Sequence, residues 1–208
     1  MQDPTTENTL RRLEEAEQLK LMGQHEEALT ILEELLVEDP TNISALEEVA
    51  DNELQMDHLD RAEIASAQAV ELDSKSYTGH YILGFTCSKK EEWERALVHL
   101  QRANMLQPNS SEILRCLGWT LLQNNQRTQG IVTLERALNL DNENPLTLCD
   151  LGIAYLQAKN VPKAKSLLLR TLDIDPENPR AMKCVQAIER IEQTFKSRNY
   201  TRKEVHQT

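Results

Sequence analysis

Asn8, Asn42, Ser76, Ser110, Asn144 and Asn178 stand 34 residues apart along the 208-residue chain. Each is a residue type whose side-chain oxygen accepts from an orphan backbone N–H at a helix start. Pro40, Pro108 and Pro176 precede three of them by two residues, where the missing N–H stops the preceding helix. Pro145 and Pro179 follow two others at the first helical position, where proline is tolerated. The chain therefore ends one helix and begins the next at a fixed interval, and a period of this length marks a structural repeat.

Two further columns keep the same spacing. Ala16, Ala50, Gly84, Gly118 and Gly152 form one; Ala28, Ala62, Ala96, Gly130 and Ala164 form the other. With Ala and Gly at roughly 15% of residues, chance gives ten small residues in ten places with a probability on the order of 10⁻⁸. Small residues there let two helices approach closely. Between the columns lie breaks such as "GQHEE" (23–27) and "SKKEE" (88–92), and large apolar residues fill the remaining inward positions. Each unit reads as two antiparallel amphipathic helices joined by a short turn.

The period, the paired small columns and stretches such as "LGFTCSKKEEWERALVHLQRANMLQPNS" (83–110) and "LGIAYLQAKNVPKAKSLLLRTLDIDPENP" (151–179) resemble tetratricopeptide repeats. The resemblance covers units 9–42, 43–76, 77–110, 111–144 and 145–178. It implies an all-α fold, a right-handed superhelix of stacked antiparallel helix pairs. Residues 179–198 suit the capping helix that such an array needs, with Ala181, Val185, Ile188 and Phe195 as its apolar stripe. Residues 1–8 are expected to be a disordered N-terminus and 199–208 a flexible tail. The second unit departs from the pattern. Ser66 replaces a large apolar residue, and Glu53 stands in the column of Leu19, Leu121 and Tyr155, so this unit is expected to pack least well.

Composition excludes several classes. The formal charge is −11, which disfavours nucleic acid as a ligand. It is unevenly spread: residues 1–76 hold 5 Lys and Arg against 20 Asp and Glu, a net of −15, and residues 77–208 a net of +4. No apolar run reaches the roughly 18 residues of a membrane span, and the opening "MQDPTTENTL" lacks the pattern of a secretory signal. The chain is expected to be cytoplasmic, with Cys87, Cys116, Cys149 and Cys184 reduced. Cys116, Cys149 and Cys184 fall near equivalent places on successive first helices, but helix spacing of roughly 8–10 Å keeps such sulfurs from converging on a metal. The five histidines show no ligand spacing, and His80, in an apolar column, reads as a satisfied core residue. No nucleotide-binding, metalloprotease or hydrolase motif is present. No enzyme activity, cofactor or metal is expected.

The resemblance implies a concave groove lined by the first helix of each unit, binding a peptide or helix from another protein. The groove residues carried over are Glu14, Glu17, Glu47, Glu48 and Asp51, then Tyr81, Ile82 and Phe85, then Arg115 and Trp119, then Asp150 and Ile153, with Leu146 beside them and Arg180, Lys183 and Arg190 on the capping helix. The groove is thus expected to run from acidic through aromatic to basic. Its complement is a protein or peptide ligand with apolar anchors and basic residues. A subset of the family clamps the acidic C-termini of Hsp70 and Hsp90, but the matching places here hold residues such as Glu17, Glu48 and Asp51, so no such clamp is expected. The expected role is a non-catalytic interaction module, adaptor or chaperone-like. The alternative is a self-assembling scaffold forming homo-oligomers, as among the magnetosome-associated members of the family.

Overall fold

The computed structural model describes residues 4–205, with side chains described over 7–194. Among these residues the chain forms eleven α-helices and no strand. They are α1 (Pro4–Leu21), α2 (His25–Glu38), α3 (Ile43–Gln55), α4 (Leu59–Leu72), α5 (Tyr77–Lys89), α6 (Trp93–Leu106), α7 (Ser111–Gln123), α8 (Arg127–Leu140), α9 (Pro145–Gln157), α10 (Val161–Ile174) and α11 (Pro179–Val205).

The caps explain the register. The side chains of Asn42, Ser76, Asn144 and Asn178 accept from the backbone N–H three residues on, at 2.7–3.0 Å, and Ser110 does so at 3.3 Å. Asn8 does not cap. α1 begins at Pro4, so Asn8 lies inside it and accepts from Arg11 instead. Residues 4–8, expected to be disordered, are therefore its first turn, and α11 continues past 198 to Val205. Residues 1–3 and 206–208 of the expected loose termini lie outside the described residues.

The turn inside each helix pair has its own recurring device. Gly23, Asp57, Glu91, Asn125 and Lys159, again 34 apart, all adopt left-handed backbone with φ of 60–76°. This lets the following N–H reach back to a carbonyl five residues earlier, as His58 does to Glu53 at 2.8 Å. Glycine takes this conformation without steric cost, yet only the first turn uses one. The signal is therefore nearly invisible in the sequence.

The chain divides into two compact units between Thr120 and Leu121, within α7. In the first, each helix from α1 to α5 packs on its successor, and α3 also packs on α1 and α5. Its core includes Ala16, Ala28, Leu32, Ala45, Ala50 and Ile82. The small columns do what the pattern requires: a Cβ at Gly84 would lie 2.8 Å from Leu100 Cγ and 3.0 Å from the Leu100 backbone nitrogen. In the second unit α9 packs on α8 and α10, and α11 packs on α9 and α10 around Cys149, Leu168, Ala181, Val185 and Ile188.

The second repeat differs from a simple packing defect. Glu53 and Ser66 are both fully buried. Ser66 Oγ donates to the Ala62 carbonyl at 2.7 Å. Glu53 Oε2 lies 2.8 Å from His58 Nδ1, and Oε1 lies 2.9 Å from Arg61 Nη2 as an ion pair without an aligned hydrogen bond. The position that elsewhere carries an apolar side chain thus holds a buried carboxylate with two partially exposed basic partners.

Candidate interaction groove

The first helices α3 and α5 and the start of α7 present one face together in the first unit. Tyr81 and Phe85, one turn apart on α5, stack with ring centroids 6.1 Å apart and 18° between planes. Both are half-buried, resting on the core while leaving ring surface accessible. The Tyr81 hydroxyl donates to Glu112 on α7 at 2.7 Å. Burial, together with the nearby Cys116 and Glu112, keeps that phenol protonated far above its ordinary range. The pair forms part of a pocket of about 440 Å³, whose walls include Asp51, Leu54, Asp57, Lys89, Glu112 and Arg115. The pocket therefore combines an aromatic floor with a rim of three carboxylates and two cations.

The acidic end of the groove is less bare than its sequence implies. Lys20 of α1 reaches across to α3 and binds Glu48 at 2.7 Å and Asp51 at 2.8 Å. Burial alone would lower the Lys20 ammonium's affinity for its proton, but the hydrogen bonds to Asp51 and Glu48 outweigh it and hold the pKa above the ordinary value. Glu47 accepts a short hydrogen bond from the Ser76 hydroxyl. Burial pushes its carboxyl above the ordinary carboxylate range, more than the Ser76 and Gly79 donors pull it down. Glu14 and Glu17 on α1 are exposed.

Two carried-over groove residues are not on an accessible surface. Ile82 is 2% exposed and belongs to the core, because its position is one helical step of about 100° round from Tyr81. Asp150 is 1% exposed and pairs with Arg180 of the capping helix at 2.8 Å, so it links α9 to α11. Arg115 and Trp119 are half-buried on α7. In the second unit Ile153 is half-buried against the Cys149–Leu168 core, while Leu146 is 48% exposed. Lys183 and Arg190 are exposed on α11.

Cys87, Cys116 and Cys149 are buried thiols and Cys184 is half-buried. Burial pushes the Cys149 thiol up to about 11, which suppresses the nucleophilic thiolate. Cys87 does lie near carboxylates: its sulfur and oxygens of Glu63 and Glu92 fall within 4.8 Å of one another. Lys90 and Arg95 already bind Glu63, at 2.6 and 2.7 Å, and Arg95 also binds Glu92. An ion would have to displace both cations. No helix among the described residues is long and apolar enough to cross a membrane.

No curated protein matches the chain by sequence. The tetratricopeptide repeat family profile matches residues 121–187. Among solved structures, pilF from Pseudomonas aeruginosa is 18% identical with a TM-score of 0.79, covering 92% of this chain and 87% of its own. YrrB, described as a TPR protein with an unusual peptide-binding site, is 21% identical with a TM-score of 0.65, covering 84% of this chain and 90% of its own. MamA is 20% identical with a TM-score of 0.65, covering 78% of this chain and 95% of its own. The tetratricopeptide-repeat profile over residues 121–187, the same period before them and the likeness to these structures give the chain the all-α fold of stacked helix pairs seen in tetratricopeptide-repeat proteins.

Proposed function

We propose that the chain is a non-catalytic protein-interaction module that receives a peptide segment, extended or helical, on the α3–α5–α7 face of its first unit. The observation that carries this reading is the stacked, half-buried Tyr81–Phe85 pair inside a rimmed pocket. Aromatic surface of this kind supplies anchors that dominate affinity when desolvated. The ligand has a large apolar side chain for that floor and Lys or Arg beside it for the carboxylates. The charged part contributes mainly encounter rate and orientation. Three of the acidic groups, Glu48, Asp51 and Asp57, already have lysine partners that a ligand would have to replace. YrrB, with its peptide-binding site on the same fold, supports a peptide as the ligand class.

Panning a random peptide display library on the whole chain tests this. Enriched peptides should share one large apolar residue flanked by Lys or Arg. They should lose about 2 kcal/mol or more, some thirtyfold in Kd, against Phe85→Ala. Enriched peptides that bind Phe85→Ala as tightly would place the site elsewhere.

A second reading, a self-assembling scaffold, rests on the division of charge. Residues 1–120 hold 10 Lys and Arg against 24 Asp and Glu, a net of −14, whereas residues 121–208 hold 13 against 10, a net of +3. Opposite signs on the two units favour contact between unlike units of two copies, a heterologous contact that closes a ring or extends a filament. Sedimentation velocity at low and high salt decides it: salt-sensitive association supports the scaffold, and a monomer under all conditions removes it.

A further inference from the structure

We infer that His80 on α5 and His99 on α6 form a one-proton clamp, which joins the two helices when neutral or singly charged and parts them when both rings are charged. His80 Nδ1 and His99 Nδ1 are 3.1 Å apart. The ring centroids are 5.3 Å apart, close to that separation plus two ring radii, so the two nitrogens face each other nearly head-on. This is the geometry of an N–H···N hydrogen bond. It is not that of a chelated ion, whose two nitrogens must converge on one point off the line between them, each at roughly 2.0–2.1 Å.

The surroundings fix the protons. His80 Nε2 lies 3.3 Å from the Ser74 carbonyl, which can only accept, so Nε2 carries the His80 hydrogen. His80 Nδ1 is then the acceptor, and His99 Nδ1–H the donor. A first added proton goes to His99 Nε2. It leaves the N–H···N bond intact and makes it charge-assisted. A second proton has only the His80 Nδ1 lone pair left to occupy. It would set two N–H groups, both on cations, against each other at 3.1 Å.

The charged neighbours act in the same direction on balance. Arg102 opposes charge on His80, Arg95 opposes it on His99, and Glu63 of α4 favours it on His99. Glu47 of α3 meets the start of α5 at Ser76. Burial, the largest influence on each ring, lowers both histidines below their ordinary value, and the Ser74 carbonyl only partly offsets this at His80. The folded chain therefore binds fewer protons than the unfolded chain below about pH 6.5. The stability this provides is complete above that pH and is lost as pH falls towards the lowered folded values. The device stands independently of what the groove binds.

Imidazole ¹⁵N resonances of the full chain, followed from about pH 8 to about pH 5, test the clamp. The expected result is His80 holding its proton on Nε2, His99 charging first, and His80 resisting its own proton until unfolding begins. Thermal unfolding across the same range should show His99→Phe losing less midpoint temperature on acidification than the wild type, because no second cation then faces His80 Nδ1. Two rings titrating independently near the ordinary value, or an unchanged acid loss in His99→Phe, would overturn the proposal. The resonance measurement needs only the wild type, so a variant that fails to fold does not remove the test.

Discussion

Replacing Glu53 with leucine should stabilise the protein, although it destroys two ion contacts. The carboxylate is fully buried, while its partners His58 and Arg61 are 46% and 58% exposed. The cost of dehydrating the carboxylate is therefore nearly complete. The attraction that offsets it is screened, because both partners face water. Leucine has similar volume, and Leu19 and Leu121 occupy the same column of the repeat. Exchange of a buried ion pair for well-packed apolar side chains is neutral to stabilising by about 1–4 kcal/mol. The present case belongs near the lower end, about 1–2 kcal/mol, because the released partners were never fully buried. Arg61→Met should do the reverse, since it leaves the buried carboxylate with His58 alone. Its cost is about 1–3 kcal/mol, below the usual figure for a fully buried partner. The loss of the exposed Arg61–Glu33 pair adds little. Thermal unfolding at neutral pH separates the two: the midpoint should rise by about 2–8 °C in Glu53→Leu and fall in Arg61→Met. A fall in both would show instead that the buried carboxylate is a net stabiliser at this site.

Gly84→Ala should destabilise by about 1 kcal/mol more than Gly152→Ala in thermal or urea unfolding. The new Cβ at 84 meets the Leu100 backbone nitrogen at 3.0 Å, whereas at 152 the atoms within 3 Å belong to the Leu168 side chain, which can turn. Lys20→Met frees Glu48 and Asp51, so it should raise the on-rate of a basic peptide severalfold at low salt and leave it unchanged at high salt, as stopped-flow mixing would read. Replacing Cys149 and Cys184 together by serine should leave peptide affinity within about threefold by calorimetry, because both belong to the core of the second unit and neither lines the aromatic pocket.

What the sequence discloses and what it hides divide along physical lines. The caps at Asn42, Ser76, Ser110, Asn144 and Asn178 are legible because a cap is a local contact between a side chain and an N–H three residues on. Asn8 shows the limit of the same rule. Its residue type suits a cap, but nothing stops the helix before it, so α1 continues back to Pro4. The small columns are legible because close helix approach admits few residue types. The groove is harder. A 34-residue period assigns a residue to a column but not to an angle about the helix axis. Tyr81 therefore lines the pocket while Ile82, its neighbour, is core. Contacts between helices leave no periodic trace: Lys20 finds Glu48 and Asp51 at 28 and 31 residues' distance, and His80 finds His99 at 19. Asp150 is unreadable for a related reason, since its burial depends on Arg180, 30 residues on, reaching it from the next helix pair's place.

The most direct test of the central claim is to map where a panned peptide binds, using backbone amide shifts of the ¹⁵N-labelled chain during titration. The largest changes are expected at Leu54, Tyr81, Phe85, Glu112 and Arg115, around the pocket of about 440 Å³, with Phe85→Ala abolishing them at the same peptide concentration. Changes centred instead on the exposed apolar residues of the second helices, Ile64 on α4 and Val98 on α6, and surviving Phe85→Ala, would contradict that claim.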